Sequence, residues 1–371
     1  MKVGIRVDAS FQIGTGHLMR CLTLADYLSS KKAEVLFLCR NLPDHLQNLL
    51  AAKRFPVLQL ESGNSETLEE AEAGKTLAHA DWLGVSQSSD AENCKRVLEG
   101  KVLDWLVVDH YALDSTWEKA LRQNTKSVLV IDDLADREHD CDVLLDQNYY
   151  PRMTDRYTSK VPDSCLMLTG PKYALLRDEF RSWRAKVSIR KDGVRRVLVF
   201  FGGVDAPNFT GLCLGALKAS SLRNYAVDVV VGTQHPCLAE IGALCAEQGY
   251  DLHVQSGRMA ELMARSDIAI GATGATSWER CCLGLPSITI SLADNQIEIA
   301  LGLQRMGASI YLGEMSQVDP RCLAEQIAIL VARPDVVKSM SERAFELVDG
   351  GGVVRVFEAM AGRYAHINSL H

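Results

Sequence analysis

No apolar run in the 371 residues approaches the ~18 needed to cross a bilayer, and MKVGIRVDASF at the start lacks the charged, apolar and small-residue order of a secretory signal. We therefore expect a soluble cytoplasmic protein without a membrane partner. No run of five like charges occurs, and the formal net charge is −7 with a pI near 5.8. That excludes a broad basic face for nucleic acid, so any anion must be gripped locally. Eleven cysteines include no Cys-x-x-Cys pair, and adjacent Cys281 and Cys282 suit neither an ordinary disulfide nor a finger-type zinc site. They read as reduced, buried small hydrophobes. A Gly-x-Gly-x-x-Gly fingerprint, a Walker lysine and a magnesium-type carboxylate cluster are also missing beside the glycine turns, which disfavours nicotinamide binding and ATP hydrolysis. Neither a metal nor a cofactor is expected.

What the chain does have is a 47% hydrophobic composition and a length that makes two domains the default. Short β-branched runs alternate with helical patterns from end to end, which predicts an α/β protein with parallel sheets. The strand candidates are KVGIRVD, EVLFLC, FPVLQL, WLVVDHY, SVLVIDD and DVLLDQ, then RRVLVFFGG, YAVDVVVG, YDLHVQS, DIAIGATG and SITISL. Between the two sets, prolines, glycines and charges interrupt the pattern. We expect an N-terminal Rossmann-like domain over 1–165, a connecting segment over 166–192, a C-terminal Rossmann-like domain over 193–349, and a helix over 350–371 that could pack back on the first domain. The two domains would face each other across a cleft.

In QIGTGHLMRC, Gly14 and Gly16 follow the first strand and open a helix, so backbone amides can point at an anion or a polarised oxygen. His17 then sits near the positive end of the helix dipole, where a neutral imidazole able to accept a proton is favoured. In isolation a hydrogen bond at the helix end explains it equally well. Arg6 and Asp8 lie on the first strand, Asp8 at the end where ligands gather in open parallel sheets. Asp109 and Tyr111 in WLVVDHY stand at a second such end; Asp109 could cap the next turn or line a sugar site.

In the second half, Gly202 and Gly203 of FFGGVDAPN form either a phosphate cradle or a tight structural turn. DIAIGATGATSWE reads as strand, glycine turn and a helix beginning at Thr276 or Ser277, with Gly274, Ala275 and Thr276 offering amides to a diphosphate. Glu279, placed in the first turn of that helix, could accept two ribose hydroxyls or close a capping box. Asn295 and Gln296, beyond the following strand, carry amides suited to a sugar's hydroxyl or acetamido groups.

RVDASFQIGTGHLMRCLTLA, VVDHYALD, VLVIDDLADREHDCDVLLDQN, GPKYALLRDEF, FGGVDAPNFT and IAIGATGATSWERCCLGLPSITISLADNQ together resemble the UDP-2,4-diacetamido-2,4,6-trideoxy-β-L-altropyranose hydrolases of pseudaminic acid biosynthesis, over nearly the whole chain. That family is similar in fold to nucleotide-sugar glycosyltransferases of the B type. The resemblance implies hydrolysis of a UDP-sugar at the C1–O bond with inversion and without a metal. It places the catalytic histidine on His17 and the UDP loop with its ribose carboxylate on Gly274, Thr276 and Glu279. It further places the uracil base near Arg258 and Met259, and the sugar near Asn295 and Gln296. On this reading His17 activates water, Asp8 or Asp109 matches developing ring charge, and Tyr111 positions the water or an acetamido group.

Overall fold

The computed structural model of the chain describes residues 1–10, 12–61, 77–219 and 225–368. Two compact units divide it: residues 1–148, 152–175 and 352–371 form the first, and residues 149–151 and 176–351 the second. Among the described residues no helix is long and apolar enough to cross a membrane.

The first unit is built on seven parallel strands: β1 (Lys2–Val7), β2 (Glu34–Cys39), β3 (Val57–Gln59), β4 (Leu103–Asp109), β5 (Thr125–Ile131), β6 (Val143–Asp146) and β7 (Leu166–Thr169). They lie in the order β3-β2-β1-β4-β5-β6-β7. The strands read as continuous apolar runs because helices cover both faces. In β1, Val3, Ile5 and Val7 are sealed on one face while Gly4 opposes Leu103 on the other. Helix α1 (Gly16–Ser30) follows β1 and buries Leu18, Cys21, Leu22, Ala25 and Leu28, the stripe spacing of a helix laid on a sheet. α2 (Asp44–Ala52), α3 (Gln87–Leu98) and α4 (Ser115–Leu121) complete the crossovers. Ser86 starts α3 by accepting a hydrogen bond from the Ser89 amide, and Asp114 starts α4 through the Thr116 amide.

The second unit carries six parallel strands: β8 (Arg196–Phe200), β9 (Ala226–Val231), β10 (Asp251–Val254), β11 (Ile268–Ala272), β12 (Ser287–Ser291) and β13 (Ser309–Glu314), in the order β10-β9-β8-β11-β12-β13. Its helices are α5 (Asp178–Arg184), α6 (Phe209–Ala219), α7 (Leu238–Gln248), α8 (Met259–Arg265), α9 (Ala275–Cys282), α10 (Ile297–Arg305), α11 (Pro320–Val331) and α12 (Pro334–Leu347). The last helix, α13 (Gly352–Asn368), returns to the first unit, where Val353, Val356 and Met360 join the core and Phe357 meets Tyr27 edge-on at 5.5 Å.

Two expectations about elements need correction. Residues 166–169, assigned to a connector, pair with β6 and extend the first sheet, since burial of Leu168 favours the edge of the sheet over solvent. No strand was expected over 309–314, yet it closes the second sheet. Its Gly313, at φ +115°, and a register shift opposite Thr289–Ser291 interrupt the usual strand pattern.

Both sheets share one topology. Strand order reverses between β1 and β4 in the first and between β8 and β11 in the second, and ligands of open α/β sheets bind beyond the strand ends at such a reversal. IGTGH and the DHY segment leave the ends of β1 and β4; FGGVD and GATGAT leave those of β8 and β11.

Candidate active site

In the first unit the register of β1 against β4 sets Val7 beside Asp109. The Gly14 turn, with φ +77° and its amide bonded to Ser10 O at 2.8 Å, then brings the chain back into α1. His17, second in that helix, meets Asp109: Nδ1 lies 2.6 Å from Oδ1. Arg20, one turn further, grips the same carboxylate through Nε to Oδ2 and Nη2 to Oδ1, both at 2.7 Å. Burial opposes ionisation of Asp109, but the Arg20 guanidinium and His17 outweigh it and hold the carboxyl well below its usual range. An ionised carboxylate only accepts hydrogen bonds, so Nδ1 of His17 carries the proton. The 3.2 Å approach of Arg20 Nη2 to Nδ1 is then a contact between two donors. The Nε2 lone pair points away from Asp109, and among the described residues nothing donates to it.

Arg20 also reaches Asp133 beyond β5, Nη1 to Oδ2 at 3.0 Å, and Asp133 accepts from the Tyr111 hydroxyl and from Asn148 Nδ2. Burial, then Asp133, push the Tyr111 phenol up, so it stays a donor. The Tyr111 ring meets His17 edge-on at 4.6 Å, with His79 at 5.3 Å and Trp82 at 5.6 Å. Gly14 and Gly16 border this group, and a Cβ on either would meet nothing within 4 Å.

Arg6 and Asp8 do not join it, which corrects their expected roles. Both are fully buried. Arg6 lies 2.8 Å from Asp8 and grips Asp90 of α3 at 2.8 and 3.1 Å, while Asp8 accepts the Arg40 and Asn41 amides. Burial opposes the Asp8 charge, but Arg6 and then His110 hold its carboxyl well below the usual range. These two charges pair with each other inside the unit, and neither side chain is exposed.

In the second unit Gly202 (φ +108°) and Gly203 leave β8 with nothing within 4 Å of a Cβ position. Beneath them packing is tight: a Cβ on Gly232 would stand 2.1 Å from Gly203 O. Gly274 (φ +140°) leaves β11 and caps α9, with Gln296 Nε2 the nearest atom, 3.9 Å from its Cβ position. The helix begins at Ala275, not at Thr276 or Ser277, which puts Glu279 in the second turn. Ser277 rather than Glu279 accepts the Gly274 amide, because it occupies the third helical position, and Gly274, lacking a side chain, returns only its carbonyl to the Ser277 amide.

Glu279 Oε1 lies 3.4 Å from Arg177 Nη2, and Oε2 accepts no hydrogen bond among the described residues. Burial pushes its pKa up against the pull of Arg177. Gln296 Oε1 accepts the Leu292 amide at 2.9 Å, and its neighbour Asn295 is exposed. The structure thus gathers Gly274, Ala275, Thr276 and Gln296 around one turn, with Glu279 further along α9 beside Arg177. Arg258 instead pairs with Glu261 on the exposed start of α8, with Met259 buried behind it.

Sequence reasoning missed Arg20, Asp133, His79 and Trp82. Arg20 was within reach, since it follows His17 by three positions and shares its helix face. Asp133 follows β5 as Asp109 ends β4, so the same strand-end rule would have found it. No local pattern marks His79 or Trp82.

Residues 196–350 match the family model described as glycosyltransferase family 28 C-terminal domain. The chain is 23% identical over 368 residues to the spore coat polysaccharide biosynthesis protein SpsG of Bacillus subtilis (strain 168), covering 98% of this chain and 99% of that protein. It is 25% identical over 311 residues to the UDP-2,4-diacetamido-2,4,6-trideoxy-beta-L-altropyranose hydrolase of Campylobacter jejuni subsp. jejuni serotype O:2, covering 84% and 98% respectively. Among solved structures it is similar to Acinetobacter baumannii MurG, with a TM-score of 0.64 at 16% identity over 97% of this chain and 99% of that one. The fold is that of the B-type glycosyltransferases, two parallel-sheet α/β domains.

Proposed function

We propose that the protein hydrolyses UDP-2,4-diacetamido-2,4,6-trideoxy-β-L-altropyranose to UDP and the free sugar, by attack of water at C1 with inversion. The observation that carries this reading is the His17–Asp109 pair. Asp109, kept ionised by Arg20, fixes the proton on Nδ1 and leaves Nε2 as a general base. Water gives its proton to Nε2 as its oxygen bonds to C1, and the bond from C1 to the diphosphate oxygen breaks. The leaving diphosphate is already a stable anion, so no second carboxyl need protonate it, unlike in a glycosidase.

On this reading the second unit holds UDP. The amides of Gly274, Ala275 and Thr276 and the open backbone at Gly202 and Gly203 take the diphosphate, and Glu279 Oε2 takes a ribose hydroxyl. Arg258 and Met259 are assigned to the base, Asn295 and Gln296 to the sugar. Gly14 and Gly16 leave room for substrate beside His17, and Tyr111, with its hydroxyl engaged by Asp133, forms part of the site wall. Similarity to a protein named as this hydrolase supports the choice of reaction.

A second reading is favoured by the glycosyltransferase match over 196–350: His17 would deprotonate an acceptor hydroxyl in place of water. The deciding experiment supplies the UDP-sugar in heavy-oxygen water with chelator and no acceptor, and locates the label by mass spectrometry. Label in the sugar supports the hydrolase. Label in UDP means attack at phosphorus and overturns the mechanism, and UDP release only after an acceptor is added selects the transferase.

A further inference from the structure

Two buried arginines of the second unit have no carboxylate within ion-pair distance among the described residues, and they differ in one respect. Arg190 uses all three nitrogens on carbonyls: Nε on Ser266, Nη1 on Leu283 and Ser188, Nη2 on Met263 and Ala264. Its cation is fully solvated by backbone and ties loops together.

Arg280 is not. It is 2% exposed, and only Nη2 bonds, at 2.9 Å to both Ala272 O and Ser277 Oγ. Nε is buried without a partner, as is Oγ1 of the adjoining Thr273, and Nη1 meets no acceptor among the described residues. Burial pushes the guanidinium down to about 10 against the pull of Cys281 and Glu279, as burial also does for Arg190, so the two arginines differ in their hydrogen-bond partners alone.

Its location is specific. Nη1 stands 3.3 Å from the Cβ position of Gly271, the β11 residue in register with Phe200 of β8. The charge therefore lies beside β11 where it pairs with β8, the point at which strand order reverses, and Ser277 Oγ links it to the Gly274 amide. Gly202 and Gly203 leave open backbone after β8, and Gly274 leaves it at the N-terminus of α9.

We infer that Arg280 is a positioning residue for the diphosphate: a buried positive charge, left short of partners by the protein, that acts through the Gly274 turn on a pyrophosphate group seated there. The inference deepens the nucleotide reading given above and depends on it. A buried unpaired charge is costly, and an anion close by recovers that cost on binding. Hydrogen bonds from the turn alone provide no such long-range term.

The test measures binding of UDP, inorganic pyrophosphate and uridine to the full-length protein and to Arg280→Met, Arg280→Gln and Arg280→Lys, together with ligand-free thermal unfolding. The neutral variants should weaken UDP and pyrophosphate by about 10- to 100-fold, the span of a charged hydrogen bond, and leave uridine unchanged. Arg280→Lys should restore most of the loss. Ligand-free unfolding should move little, while the rise produced by UDP shrinks. A lowered ligand-free unfolding temperature with the UDP increment intact would make Arg280 a structural tie like Arg190 and overturn the inference, as would equal losses for UDP and uridine. If neither neutral variant folds, wild-type competition decides: pyrophosphate should displace UDP, and failure to displace it overturns the proposal. Undiminished UDP binding in the variants removes only Arg280's role; a wild-type protein that binds neither UDP nor pyrophosphate removes the nucleotide reading and this inference with it.

Discussion

At Asp109 one carboxylate receives His17 Nδ1, both Nε and Nη2 of Arg20, and the Cys21 thiol. Each contact bears on a different property. Arg20 keeps the group ionised, and the ionised group fixes the histidine tautomer. Asp109→Asn replaces an acceptor by an amide able to donate, which favours the proton on Nε2, the wrong nitrogen for a base. Turnover should fall about 10²- to 10⁴-fold with the UDP dissociation constant unchanged. The same variant leaves Asp133 as the one remaining carboxylate on Arg20 among the described residues and should cost about 1–3 kcal/mol in urea unfolding. His17→Asn should match the loss of turnover without that loss of stability; equal turnover to wild type in either variant would remove the dyad from catalysis. Glu279→Ala addresses the other unit. It should weaken UDP about 10- to 100-fold, and an unaltered dissociation constant would take Glu279 out of the ribose site.

At the scale of the element, the glycines at the strand ends separate into two kinds. A Cβ on Gly271 would lie 2.0 Å from Phe200 O, so β8 and β11 can sit side by side only if that position lacks a side chain. A Cβ on Gly203 would meet nothing within 4 Å, and its φ is not positive. Gly271→Ala should therefore lower the urea midpoint by a cost on the order of 1–3 kcal/mol or more, since backbone must shift. Gly203→Ala should leave that midpoint alone and weaken UDP, because the added methyl occupies the space proposed for phosphate. A stable Gly271→Ala protein, or a Gly203→Ala protein with full UDP affinity, would contradict the respective assignment. Elements were legible where pattern was strong. β1, β4 and β11 stand out as β-branched runs ending in turn residues, whereas β7 begins with exposed Leu166 and lies between proline- and glycine-containing turns.

Over the whole molecule, the buried charges of the first unit set how stability responds to pH. Asp8, Asp109 and Asp132 are all held well below the usual carboxylate range, burial being outweighed by Arg6, Arg20 and Arg137 respectively. A depressed folded value gives stability that is complete above the unfolded value of about 4 and lost as pH falls below it. His139 has the opposite sign. Burial opposes its charge, but Asp132 and Glu118 raise it to about 9, so its contribution is complete below about 6.5 and lost as pH rises through 9. Asp146, raised to about 7 by burial and then by Asp133, adds a decline between about 4 and 7. The urea midpoint should thus be highest near pH ~5 and fall toward pH ~9, with His139→Gln flattening the alkaline part. A midpoint constant from pH ~6.5 to ~9 in the wild type would show that His139 is not charged in the folded state.

The sequence by itself determined the alternation of strands and helices, the two glycine turns at the strand ends, and His17 as a candidate base, because these depend on neighbours within a few positions. Periodicity and turn chemistry are local. The tertiary structure alone decided which charges pair with one another. His17 and Asp109 are 92 positions apart and meet only because β1 pairs with β4. Arg6 and Asp90 are separated by 84, and their pairing inside the unit withdrew Arg6 and Asp8 from the site. Ser277 took the place expected of Glu279 at the Gly274 amide through a helix start one or two residues earlier than expected. A charged side chain looks the same in sequence whether it is neutralised in the core or left at a strand end. Only the order of strands in the sheet supplies, or withholds, its partner.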